Sequence, residues 1–96
     1  MVISFDNNKL NTICNQNNIA SLSLFGSCAR GEQTSTSDVD LLVSFGKRVS
    51  LFDIARAQNA LETVFNNKVD LVLESNLKKR IKPYIYKDLK TIYEKR

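Results

Sequence analysis

Ninety-six residues, 43% hydrophobic and 25% charged, are expected to form one small globular domain over residues 1–96 with a single core. Apolar residues never run beyond three in succession, and the first eight lack a basic-then-apolar pattern, so neither a membrane span nor a signal peptide is expected. Two cysteines and no histidine exclude a Ser-His or Cys-His nucleophile pair and a four-ligand zinc site, and point to reduced thiols in a cytoplasmic protein.

The net charge of +4 is uneven: residues 1–75 carry net −2 and residues 76–96 net +6. An acidic body with a basic tail suits a polyanionic partner or substrate, although such runs are commonly just solvated faces.

Asn7 to Asn18 reads as a helix, with Leu10, Ile13 and Cys14 at helical spacing and Asp6 or Asn7 as cap. Ile19 to Phe25 alternates as a half-buried strand. Gly26-Ser27 ends it, and Ser27 to Glu32 suits a short helix released at Gly31. Gln33 to Ser37 reads as a loop. Asp38 to Phe45 is a second strand, with Val39, Leu41 and Val43 on one side and Asp38, Asp40 and Leu42 on the other.

After a turn at Gly46, Ser50 to Asp53 has the form of a capping box. The helix it opens runs to about Asn66, with Leu51, Ile54, Leu61, Val64 and Phe65 as its apolar stripe. Lys68 to Glu74 is a third strand, with Asp70 and Val72 on one face. Ser75 or Asn76 then caps a last helical region, kinked or restarted at Pro83, whose stripe is Ile85, Leu89, Ile92 and Tyr93. Helices interleaved with strands imply an α/β or α+β layer architecture with a small sheet of three to four strands.

The chemistry lies between the first and third strands. Asp38 and Asp40 project from one face of one strand, about 6.6 Å apart along it. Carboxylates so placed can share divalent ions, and two ions about 3.5–4 Å apart can polarise an α-phosphate and stabilise both entering and leaving oxygens. Magnesium fits best, since it binds through a few carboxylates plus substrate phosphates. Asp disfavours strands, so two of them within Val39-Leu41-Leu42-Val43 point to function rather than to a solvent-facing pair. If the second and third strands are neighbours, Asp70 joins them as a third ligand or as the base for an attacking hydroxyl. Gly26 allows close phosphate approach, and Ser27 offers a hydroxyl and the N–H groups of a helical turn. Arg30, one turn on, either clamps a departing diphosphate or is a surface arginine. Cys28 is read as packing.

Phe25-Gly26-Ser27-Cys28-Ala29-Arg30-Gly31, then Ser37-Asp38-Val39-Asp40-Leu41-Leu42-Val43, then Val69-Asp70-Leu71-Val72, resemble the minimal nucleotidyltransferase (MNT) family of the DNA polymerase β-like nucleotidyltransferase superfamily. The likeness covers nearly the whole chain. It implies a mixed sheet with flanking helices and transfer of AMP from ATP onto an acceptor hydroxyl, with release of diphosphate. It implies metal at Asp38, Asp40 and Asp70, and phosphates at Gly26 and Ser27. Members of this size are commonly antitoxins paired with a HEPN ribonuclease toxin, which they AMPylate, often on a tyrosine. A hetero-oligomer with such a toxin is therefore expected, and a small-molecule antibiotic acceptor is not. Masking of the toxin without catalysis is the alternative, and nucleic-acid binding by the basic tail is a secondary possibility.

Overall fold

The computed structural model describes residues 5–31 and 38–95, without the side chains of residues 27 and 28; the expected loop at Gln33–Ser37 lies outside these. Asp6 opens the first helix, α1 (Asn7–Gln16), by accepting hydrogen bonds from the Asn8 and Lys9 backbone amides. Leu10, Ile13 and Cys14 form its buried face, as their spacing requires. Burial pushes the Cys14 thiol up to about 12, so it is an apolar filler and not a nucleophile.

Strand β1 (Ile19–Leu24) follows, then the one-turn helix α2 (Ser27–Arg30), which Gly31 releases at φ +72°. Strand β2 (Val39–Phe45) leads to helix α3 (Leu51–Phe65) and strand β3 (Val69–Leu73). The capping box at the start of α3 is present in full: Ser50 Oγ accepts from the Asp53 amide, and the Asp53 carboxylate accepts from the Ser50 amide. Asn66 closes the helix in the left-handed conformation, φ +54°.

Leu51 does not belong to the buried stripe of α3: it is 84% exposed, and the helix buries Ala57, Leu61, Val64 and Phe65 instead. Leu51 is the first residue of the helix, more than a full turn before Ala57, the first that is buried.

The C-terminal region departs most from expectation. Neither Ser75 nor Asn76 caps a helix; a single 3₁₀ turn spans Glu74–Asn76 with no side-chain cap. The helical part is only α4 (Lys82–Tyr86), started at Pro83 as proline geometry favours. Ile92 and Tyr93 lie not on a helix but in a fourth strand, β4 (Lys90–Glu94). Thr, Ile and Tyr suit a strand, and β1 offers an edge for them to pair with. Ile85, Leu89, Ile92 and Tyr93 are all partly buried, so they form no fully buried stripe.

The sheet order is β3-β2-β1-β4. β1 runs antiparallel to both β2 and β4, while β2 and β3 are parallel, joined by the α3 crossover. Helices α1 and α3 pack together on the side of Val39, Leu41 and Val43, in a core with Leu10, Leu22, Leu24 and Leu61. Each large apolar side chain buried there contributes about 1.5–3 kcal/mol, several times what helix propensity could add. Lys9 Nζ donates to the Thr63 carbonyl in the last turn of α3, pinning the two helices. The opposite face of the sheet carries Asp40, Leu42, Asp70 and Val72.

Candidate active site

The site begins where β1 ends. Gly26 holds φ +67°, a left-handed conformation that carries the chain from the strand into α2. A Cβ at Gly26 would lie 2.9 Å from Asp40 Oδ2. The missing side chain therefore makes room for the Asp40 carboxylate against the turn. Two backbone bonds hold the arrangement: the Phe25 amide donates to the Asp40 carbonyl (3.2 Å), and the Arg30 amide donates to the Gly26 carbonyl (3.2 Å).

The second part is set by strand register. β2 and β3 are neighbours, and Asp40 stands directly opposite Asp70 in the parallel pair. Partners so aligned share a face and lie about 4.8 Å apart across the sheet. Asp38 immediately precedes β2 and is exposed. The Asp40 carboxyl sits above the usual carboxylate range, first because it is partly buried, then because the charges of Asp70 and Asp38 both oppose its ionisation. The three acids singled out in the sequence thus act on one another electrostatically, beside Gly26. Ser27 starts α2 at the same spot.

This constellation fits a hard divalent cation. It offers carboxylate oxygens whose mutual repulsion a cation would relieve. Among the described residues, no three Asp, Glu, Cys or His side chains cluster tightly enough to enclose an ion unaided. Magnesium takes one or two carboxylates and completes its shell from phosphate and water.

Arg30 closes α2 and forms an ion pair with Asp88, Nη1 to Oδ2 3.2 Å, across 58 residues of sequence. Asp88 was invisible to sequence reading, because neither spacing nor motif connects it to the site. Its contact ties α2 to the segment that leads into β4.

The family model described as polymerase beta, nucleotidyltransferase matches residues 8–96. The chain belongs to this family and is a nucleotidyltransferase. It is 43% identical over 63 residues to a candidate protein adenylyltransferase of Methanocaldococcus jannaschii, covering 66% of this chain and 68% of the relative. It is 35% identical over 71 residues to the protein adenylyltransferase MntA of Thermococcus cleftensis, covering 74% and 72% of the two chains. Among solved structures, a candidate minimal nucleotidyltransferase shares 34% identity at a TM-score of 0.74, over 86% of this chain and 85% of that one. At the level of fold alone, two more are similar. One is a toxin–antitoxin with AMP-PNP, at 20% identity and TM-score 0.75, over 95% and 75% of the two chains. The other is a complex of an MNT antitoxin with the tri-AMPylated HEPN toxin of Shewanella oneidensis, at 18% identity and TM-score 0.65, over 93% and 70%. Among the described residues no helix is long and apolar enough to cross a membrane.

Proposed function

We propose that this chain transfers AMP from ATP to a hydroxyl of a HEPN-domain toxin, most simply a tyrosine, and thereby acts as the antitoxin of that pair in the cytoplasm. The observation that carries the reading is the Asp40–Asp70 register beside Gly26, with Asp38 two residues before Asp40. The relatives named as protein adenylyltransferases support AMP and a protein acceptor. The similar structures that hold an ATP analogue or an AMPylated HEPN toxin support ATP and that class of partner in a hetero-oligomer.

In this reading Asp38, Asp40 and Asp70 hold two magnesium ions. Bound there, magnesium supplies charge neutralisation on the phosphates and polarises the α-phosphorus. Gly26 and the amides at the start of α2 receive the phosphates. The acceptor hydroxyl oxygen forms a bond to the α-phosphorus while the bond to the bridging oxygen of the diphosphate breaks. We assign the hydroxyl proton to Asp70, the more exposed member of the facing pair. Arg30, oriented by Asp88, is the group we assign to the departing diphosphate.

Label transfer from α-labelled ATP to the purified toxin tests the proposal. Transfer is expected to require magnesium and to fall by more than a hundredfold in Asp38→Asn, with an unchanged circular dichroism spectrum. Normal labelling by the variant would overturn the metal assignment. Masking without catalysis would instead show as full protection of toxin-expressing cells by the same variant.

A further inference from the structure

The segment from Lys78 to Lys87 is not used by the chemistry above, yet it concentrates most of the basic charge of the tail. Five cations, Lys78, Lys79, Arg80, Lys82 and Lys87, fall within ten residues that contain no acid. None of the five forms an ion pair with a described residue. Aromatic rings stand among these charges. Tyr84 is 80% exposed, and Tyr86 is 40% exposed with its hydroxyl donating to Glu74 Oε1 at 3.1 Å. That bond holds the Tyr86 side chain, and Pro83 fixes the start of the short helix that displays both rings.

A solvated basic face has no need of a large aromatic ring exposed to water, whereas a polynucleotide uses both features. Cations take the phosphates, and ring faces stack on bases with little regard to sequence. We propose that residues 78–87 form a binding site for single-stranded RNA, with the backbone on the lysines and Arg80 and a base on Tyr84. Its C-terminal end is fastened to the nucleotide end of the sheet: Asp88 reaches Arg30, and Lys90 pairs with Leu24. Bound RNA would therefore lie beside the transferase site. The charge complementarity does not depend on the catalytic reading.

Fluorescence anisotropy with a short 5′-labelled single-stranded RNA of mixed sequence tests this on the full chain. Between about 50 and 200 mM salt, affinity should fall with a log–log slope of about −0.7 per phosphate contact, so about −3 if most of the five cations engage. Changing Lys78, Lys79 and Arg80 together to Gln should flatten that slope by about 2. Tyr84→Ala should weaken binding about tenfold at an unchanged slope. These positions are exposed, so both variants should keep the wild-type melting temperature. Absence of binding at low salt overturns the proposal. So does binding that neither variant alters, or a Tyr84→Ala variant that binds normally. Displacement of the RNA by polyglutamate at equal charge concentration overturns it as well, and would assign the surface to an acidic protein.

Discussion

Asp40 is held in a position that opposes its own charge. Its raised pKa comes from partial burial and from the facing acids Asp70 and Asp38. A carboxyl that binds its proton more tightly when folded stabilises the fold fully below the unfolded carboxylate value, and this contribution is lost as pH rises through the folded value. At neutral pH the charged Asp40 therefore costs stability. Asp40→Asn should raise the melting temperature at pH 7, and the gain should vanish as pH falls below the ordinary carboxylate range. Magnesium should raise the melting temperature of the native chain more than that of the variant. Thermal scans across pH, with and without the cation, check both; a variant less stable than the native chain at pH 7 would contradict the account. This residue-scale conflict is also why Asp38, Asp40 and Asp70 were legible in the sequence: acids inside apolar strands stand out. Asp88 did not, since an acid in a polar segment gives no such contrast.

At the scale of elements, local signals succeeded where they were self-contained. The Ser50–Asp53 box and the left-handed Asn66 mark both ends of α3, and each depends only on neighbours in sequence. Ser50→Ala should cost about 1 kcal/mol, a drop of roughly 4–8 °C in melting temperature measured by circular dichroism. No change would mean that burial of Ala57 and Leu61 alone fixes the start of the helix. The same logic explains the failures. Ile85, Leu89 and Ile92 have helical spacing, but the edge of β1 is a long-range fact, and it draws Ile92 and Tyr93 into β4. Ser23 shows the effect from the other side. A polar residue alternating with Leu22 and Leu24, it is 6% exposed and donates to Thr91 of that strand. Leu51 fails for another reason: it has a suitable angle but stands in the first turn of α3, ahead of the part of the helix that is buried.

Across the whole molecule, the layer architecture was readable, because alternating strand and helix patterns dictate a covered sheet. The fourth strand was open until the structure placed it. A domain this small has little margin, and β4 covers the flank of β1 with bonds such as Lys95 amide to Ala20 carbonyl, 2.8 Å. A chain ending at Leu89 should lose its cooperative thermal transition and aggregate through the bared strand, as seen by light scattering and circular dichroism. A soluble truncated chain melting at the normal temperature would show that β4 is peripheral.

The parallel register of β2 and β3 has one more consequence. Asp40 and Asp70 come from strands separated by the full α3 crossover, and no hairpin can bring them together. Pairing so distant in sequence requires the loop between the strands to be closed by packing of the crossover helix. A nascent or partly degraded chain that lacks β3 owns two of the three acids and half of the facing pair. The facing acids therefore exist only once the crossover has closed and the sheet has formed.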